Sequence, residues 1–245
     1  LFFWTYAFSQ ENAIEEVFVT AEKRSESVQD ISQAVTAISS DEIESKNITS
    51  FVDLSAIVPG VTVAKNEGYK TVISIRGVGN ETNQNAIAAP SVAFHMDGIF
   101  IASPFSLQTD FIDVDRIEVL RGPQGTLYGR NSIGGAINYI TKKPVFEAEG
   151  EIRTVLGDYG LEQYFLMSSA PITEDIAYRL TAITVERDGV QKSIGPGPDT
   201  NSLDDENLTF TVLWNINDDM SLQIRANDRL SDRVINNNVL LTEGY

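Results

Sequence analysis

The residues of this chain best placed to do chemistry lie between Arg116 and Pro144. There Gly122, Gly125, Gly129, Gly134 and Gly135 stand among Arg121 and Arg130. Glycines at that density let a backbone turn sharply, reach φ > 0 and lie close against a neighbouring surface. Backbone N–H groups beside fixed cations are also what a phosphate cradle uses. The motif tests fail. A P-loop needs Gly-x-x-x-x-Gly-Lys-Ser/Thr, and although Gly129 and Gly134 have the spacing, Gly135 and Ala136 stand where Lys and Ser/Thr belong. Gly77 and Gly79 are followed by Thr82 where a dinucleotide site requires a third glycine.

The remaining candidates point away from catalysis. His95 is the single histidine and there is no cysteine, so no ligand cluster for a metal can be assembled around it and a structural role is expected. Asp113, Asp115 and Glu118 lie close in sequence to Arg116, Arg121 and Arg130. Opposite charges that near lower a carboxylate's pKa, the wrong direction for a general acid, so ion pairing is the better reading. No Ser/His/Asp arrangement or zinc motif accompanies them. The expectation is a chain that is not an enzyme and holds neither cofactor nor metal. The stretch most suited to a ligand is the polar loop Gly79–Pro90, with Asn80, Glu81, Asn83, Gln84 and Asn85. Amide side chains both donate and accept, which fits a polar ligand, but a solvated loop tip has the same composition. Ser103–Thr109 is a weaker second candidate.

Composition narrows the partners. A net charge of −17 over 245 residues disfavours nucleic acid and electrostatic docking on anionic lipid. Without cysteine there are no disulfides and no thiolate chemistry. No run of about 18 apolar residues is present, so no transmembrane helix is predicted. Membrane-spanning strands of about ten alternating residues would leave no such peak. Leu1–Ser9 reads as the end of a signal peptide, with Ala7 and Ser9 as the small residues before a cleavage after Ser9.

The elements that must position these residues fall into two textures. Residues 31–146 read as an α+β unit. Val35–Ile38 is strand-like, and Ser39-Ser40-Asp41-Glu42 offers a capping box for a short helix through Ile43. Thr49 or Ser50 caps a second helix, Phe51–Ile57, which Pro59 and Gly60 stop. Further short strands are expected at Val61–Ala64, Val72–Ile75, Val92–Met96, Ile99–Ala102, Ile117–Leu120 and Ala136–Thr141, with Asp97-Gly98 a hairpin turn. From Glu147 the pattern alternates. Leu208, Phe210, Val212 and Trp214 alternate with Asn207, Thr209 and Thr211, and Met220, Leu222, Ile224 and Ala226 with Ser221, Gln223 and Arg225. Tyr178–Thr184 alternates less cleanly, and Glu151–Leu156 and Leu161–Ala170 are plausible earlier strands. A lipid-facing barrel and a water-soluble β-sandwich both produce this period of two.

A family resemblance separates the two. Arg116–Pro144 resembles the plug-domain signature of TonB-dependent outer-membrane receptors. Leu-Ser-Ala-Ile-Val-Pro-Gly-Val (54–61), Ile-Arg-Gly-Val-Gly (75–79) and Val-Ala-Phe-His-Met-Asp-Gly-Ile (92–99) resemble other plug segments in the right order. Ahead of them Glu15, Glu16, Val17, Phe18, Val19, Thr20 and Ala21 resemble the TonB box, a β-prone peptide expected to stay unburied near a flexible terminus. Such a peptide can add as a strand to a partner's sheet edge.

The resemblance implies an α+β plug domain followed by the start of an antiparallel transmembrane β-barrel. Barrels of plugged transporters have about 22 strands; about five are visible here, so Tyr245 is expected to be a truncation. The implied layout is a signal remnant (1–9), the TonB-box segment and linker (10–30), the plug (31–146) and the first barrel strands (147–245). The polar loop Gln191–Asp205 is expected outside the cell and the tight turn Asn217–Asp219 in the periplasm. Arg76, Glu118, Arg121 and Arg130, with Lys142 and Lys143, are expected to make polar contacts between plug and wall. Asn80, Glu81, Asn83, Gln84, Asn85 and His95 are the candidate ligand contacts. The implied function is active uptake of a scarce ligand across the outer membrane of a Gram-negative cell. TonB and its inner-membrane energising complex are the implied partners, with outer-membrane lipid around a monomeric barrel. An iron–siderophore type chelate is the first expectation for the ligand. Glycan, cobalamin and haem receptors share the pattern, and a soluble β-rich binding module is the rival from another class.

Overall fold

The structure is a computed structural model that describes residues 18–19, 26–27, 33–66, 70–79, 89–102, 111–193 and 196–234. Two short strands open it, β1 (Phe18–Val19) and β2 (Glu26–Ser27). Strand β3 (Val35–Ser39) leads into helix α1 (Ser40–Ser45), whose first turn is closed by Glu42 N–H donating to Ser39 Oγ at 3.3 Å. A 3₁₀ turn (Phe51–Asp53) runs into α2 (Leu54–Ile57). Its start is held by the Asp53 carboxylate, which accepts from the N–H groups of Thr49 and Ser50 at 2.9 and 2.8 Å. Burial works against the Asp53 carboxylate, but these bonds and those from the two hydroxyls outweigh it and lower the pKa.

Strands β4 (Val61–Asn66), β5 (Lys70–Ile75) and β6 (Val78–Gly79) form one small antiparallel sheet. The larger sheet takes β7 (Val92–Met96), β8 (Ile99–Phe100), β9 (Val114–Arg121) and β10 (Gly135–Thr141) in the order β3-β9-β10-β7-β8. Only β10 and β7 run parallel. Between β9 and β10 lies a one-turn helix, α3 (Gly125–Tyr128), where the sequence suggested only a glycine-rich turn. Gly135 could be nothing else. Its φ is +148°, and an added Cβ would lie 2.2 Å from the Leu120 carbonyl oxygen.

Period-two alternation gives the larger sheet two different faces. Ile38, Ile117, Val119, Ile137, Tyr139 and Phe94 point to one side, where they pack with Ile43, Phe51, Leu54, Val61 and Ile75 as the main core. On the other side Ala93, Leu120 and Ala136 form a smaller cluster with Tyr128 and Val19. Val19 is fully buried and pairs with Glu26 through β1–β2. That corrects the expectation of an unburied peptide: the two alanines leave a shallow place on the sheet that a branched aliphatic side chain can fill. Glu15, Glu16, Val17, Thr20 and Ala21 lie outside the described residues.

Beyond the main core the chain becomes a five-stranded antiparallel meander of β11 (Glu149–Gly157), β12 (Leu161–Pro171), β13 (Ile176–Arg187), β14 (Leu203–Asn217) and β15 (Met220–Ser231). The sheet is not closed. Its outward rows read Tyr178-Val212-Ile224, Leu180-Phe210-Ala226 and Ile152-Leu166-Ala182-Leu208 across neighbouring strands. Leu166, Leu208, Phe210, Leu222 and Ile224 are all exposed. The inner face is polar over Asp205–Thr211 of β14 and along β15, as the alternation required. On β12 and β13 it is not: Phe165, Met167, Ile183 and Val185 are buried there with Ile112 of the N-terminal unit against them. Those positions meet protein rather than water. The loop predicted to reach Asp205 ends earlier, because β14 already begins at Leu203.

Candidate functional site

Where the two units meet, one transverse row of inward residues crosses all five strands: Glu149, Ser169, Arg179, Thr211 and Arg225. Two guanidinium groups on one wall need carboxylates opposite, and the N-terminal unit supplies them. Arg179 donates from Nε and Nη2 to the two oxygens of Asp113, each at 2.6 Å, and from Nη1 to Glu149 at 2.5 Å. Arg225 donates to Asp97 and, at 3.1 Å, to Thr141 Oγ1. A third pair, Arg153 with Glu44 at 3.8 Å, joins two exposed side chains and adds little.

Both aspartates have positive φ, 49° at Asp97 and 52° at Asp113. Aspartate tolerates that region better than most residues. Asp97 makes the two-residue turn with Gly98 between β7 and β8, a hairpin geometry that Asp-Gly favours. Asp113 precedes β9, where the register against β10 slips so that Ile140 faces Arg116 but Thr141 faces Val114. A bulge of this kind bends the strand and re-aims its neighbours.

The end of β10 holds both turns in place. Asp97 N–H donates to the Tyr139 carbonyl at 2.9 Å, and Thr141 donates its N–H and its hydroxyl to the Asp97 carboxylate, each at 2.9 Å. Lys142 N–H donates to the Asp113 carbonyl at 3.0 Å. Tyr139 hydroxyl donates to the Ile112 carbonyl at 2.7 Å and accepts from Ile112 N–H at 3.0 Å. The ring sits in the core with Phe51 and Phe111. Burial there pushes the phenol's pKa well above its ordinary value, so it stays a neutral donor.

Between the two ion pairs lies a cavity of about 260 Å³. Met96, Ile101, Tyr139 and Lys142 line it from one unit, and Thr181, Asn207, Thr209 and Asn227 from the other. Its walls offer hydroxyls, amides and cations but no nucleophile with a base. The arrangement can hold two bodies together and admit water or polar solutes.

A second polar group lies on the far face of the larger sheet. His95, Asn138 and Glu118 are neighbours across β7, β10 and β9 and are all buried. Asn138 Nδ2 donates to Glu118 at 3.0 Å and to Tyr128 hydroxyl at 2.7 Å, while Arg116 Nε donates to Glu118 at 2.9 Å. His95 packs edge-on against Tyr128. Burial raises the pKa of the Tyr128 phenol.

Of the residues expected to join plug and wall, Glu118 therefore turns to its own sheet. Arg121 reaches the Pro59 carbonyl at 3.5 Å, and Arg76 and Arg130 are exposed. Besides the exposed Glu44, the carboxylates that cross the seam among the described residues are Asp113, which the sequence placed in a charged set, and Asp97, which it read only as a turn residue. The overlooked signal was Arg179 and Arg225 at inward positions of alternating strands, where a charge needs a partner. Asn80, Glu81, Asn83, Gln84 and Asn85 lie outside the described residues, as does Ser103–Thr109.

Comparison with known proteins agrees with this architecture. Residues 27–136 match the TonB-dependent Receptor Plug Domain. The chain is 31% identical to an iron-regulated outer membrane virulence protein of Vibrio cholerae over 95% of its own length and 37% of that protein's. It is 32% identical to the pesticin receptor of Yersinia pestis, over 65% of this chain and 24% of the receptor. It thus spans between about a fifth and little more than a third of the curated relatives it matches. Among solved structures, the ferric yersiniabactin uptake receptor FyuA of Yersinia pestis superposes with a TM-score of 0.73 at 24% identity, over 81% of this chain and 32% of the receptor. The alcaligin outer membrane receptor FauA of Bordetella pertussis gives 0.67 at 21% identity, over 86% and 34%. These structural likenesses concern the fold.

Proposed function

The chain belongs to the TonB-dependent receptor family, and from that premise we propose that it is the plug and first barrel strands of an outer-membrane transporter for an iron chelate. The observation that carries this reading is the pairing of the plug match at residues 27–136 with an antiparallel sheet whose outward rows are apolar. An outward band of Leu, Ile, Phe and Trp suits lipid, and an inner face with arginines suits an enclosed, hydrated lumen. The names of the curated relatives, an iron-regulated protein and receptors for ferrioxamine and ferripyoverdine among them, favour an iron chelate over other cargo.

In this reading residues 147–245 begin the barrel and 31–146 form the plug within it. Ligand binds on the outer side, with the 79–90 loop as the proposed contact. TonB grasps residues 15–21 by strand addition in the periplasm, and the plug rearranges in packed, discrete steps rather than by continuous deformation. No reaction is catalysed.

Val17→Pro in the full-length receptor tests the mechanism, since proline removes a ladder N–H. Binding of labelled ferric chelate is expected to persist while its uptake stops. Unchanged uptake would overturn the box assignment. A protein released from envelopes by salt without detergent would overturn the membrane reading.

A further inference from the structure

The charges of the five-stranded sheet are sorted by face. Beyond residue 147 the chain has six arginines, Arg153, Arg179, Arg187, Arg225, Arg229 and Arg233. The register puts every one at an inward position. Arg153 pairs with Phe165 and Arg187 with Leu203, both packed inside, while Arg225 and Arg229 face Thr211 and Asn207. Arg233 follows the same alternation just past β15 and donates from Nε to Asp205 at 2.9 Å.

Three of these arginines directly follow an acid: Glu186-Arg187, Asp228-Arg229 and Asp232-Arg233. Successive side chains on a strand point to opposite faces, so each acid is exposed outside and each arginine is turned in. The apolar outward positions, Leu208 and Phe210 among them, fix this choice, since a slip of one residue would exchange the two charges. The sorting is kept even where it costs stability. Glu162, Glu186 and Asp204 stand directly opposite one another in a single outward row. The direction of each charge thus follows from how β12 to β15 pair with one another, whatever lies beyond β15.

Arg153, Arg179 and Arg225 have Glu151, Asp113 and Asp97 as partners, at or near the seam. The other three lie toward the end of the sheet that carries the 188–202 connection. Continuing the register, Arg233 stands beside Leu203 on one side as Arg187 does on the other, so their Cα atoms are two strand spacings, roughly 10 Å, apart. Among the described residues, Asp205 is the one carboxylate at an inward position of these upper rows, and Arg229, at 3.6 Å, and Arg233 share it. Arg187 instead donates from Nη2 to the Asn201 carbonyl at 2.7 Å, and its Nε–H, shielded from solvent, has no partner. Three arginines against one aspartate make this end of the inner face electropositive in a chain of net charge −17.

We propose that Arg187, Arg229 and Arg233 form an anion-selecting site at the outer end of the lumen, and that the substrates are iron chelates of net negative charge, with carboxylate or catecholate oxygens facing these groups. The inference rests on the transporter reading above, which puts this end of the sheet outside the cell. Carboxylate and phenolate oxygens take charge-assisted bonds from a guanidinium fork. Cations gathered on one wall of a lumen also draw in a solute of opposite charge, an effect that salt weakens. A chelate with a pendant ammonium is repelled by the same three groups.

Three ferric chelates of similar size test this in the full-length receptor: a trianionic tricatecholate, a neutral trihydroxamate and a trihydroxamate carrying a protonated amine. Binding to purified receptor is measured, together with uptake by cells that lack other iron receptors. The anion is expected to bind most tightly and to lose affinity as salt rises. Arg187→Gln and Arg233→Gln keep a donor for Asn201 and Asp205 but remove the charge. Each should weaken anion binding about tenfold to a hundredfold and flatten its salt dependence. Arg187→Lys should retain the salt dependence, which a merely structural role for the arginine would not require. Arg153→Gln, whose arginine is paired with Glu151, should leave both readouts unchanged. Tighter binding of the neutral or cationic chelate overturns the proposal, and so does anion binding that neither salt nor the two Gln variants alter. If none of the three enters wild-type cells in a TonB-dependent manner, the iron-chelate reading itself falls, and this proposal with it.

Discussion

Replacing Asp113 by Asn and, separately, Asp97 by Asn changes one charge in each seam contact, and the structure sets very different costs. Asp113→Asn leaves Arg179 buried at 3% exposure with one of its two 2.6 Å bonds lost, because the amide NH2 cannot accept, and only the half-exposed Glu149 as a charged partner. Stranding one member of a buried pair costs about 3–5 kcal/mol. Because Glu149 stays, the low end, about 3 kcal/mol, is expected. Asp97→Asn keeps an acceptor for Thr141 N–H and releases a part-exposed arginine to water, for which about 0–1 kcal/mol is expected.

Hydrogen exchange of the β10 amides in the detergent-solubilised full-length receptor reads both as opening free energies. Exchange should quicken roughly a hundredfold in Asp113→Asn and less than about tenfold in Asp97→Asn, at about 1.4 kcal/mol per decade. Adding Arg179→Met to an Asp113→Leu background should recover much of the loss, since a buried pair replaced by apolar residues is often neutral. Equal effects of the two Asn variants would refute the reasoning, as would a double variant that loses the sum of its singles.

Tyr139→Phe should destabilise the plug by about 1–3 kcal/mol, because the Ile112 N–H and C=O both lose a buried partner. The phenol's folded pKa is raised by burial, so its contribution is complete below the unfolded pKa of about 10 and is lost as pH rises beyond it. Part of the alkaline fall in wild-type stability should therefore be missing from Tyr139→Phe in calorimetric pH scans. Gly135→Ala should abolish a folded plug, since its Cβ would meet the Leu120 carbonyl at 2.2 Å; protease digestion of refolded protein checks this. Leu208→Arg should cost about 2–4 kcal/mol of insertion into bilayers if the outward rows face lipid. The neighbouring inward Thr209→Ser should insert like wild type in the same vesicle assay.

Local chemistry explains which features were legible in the sequence. Ser39 before Asp41-Glu42, and Asp53 three residues after Ser50, place their helix starts through short-range hydrogen bonds. Asp97-Gly98 specifies its hairpin by backbone preference, and the alternation on β14 and β15 specifies which residues face outward. The glycine-rich run, as β9–α3–β10, builds the strand end that carries the seam. What remained hidden was pairwise and long-range. The same turn chemistry holds Asp97 whether or not an arginine waits far along the chain. Inward arginines announce a need for partners without naming them.

By itself, then, the sequence determined the family, the order of plug and strands, and most element positions, because each rests on neighbours within a few residues. Only the tertiary structure decided that Arg225 meets Asp97 and Arg179 meets Asp113, that Glu118 turns inward to Asn138, and that Val19 is buried on the alanines of β7 and β10. Those choices depend on how two sheets are oriented in space, and a charge's partner is set by distance through that space rather than along the chain.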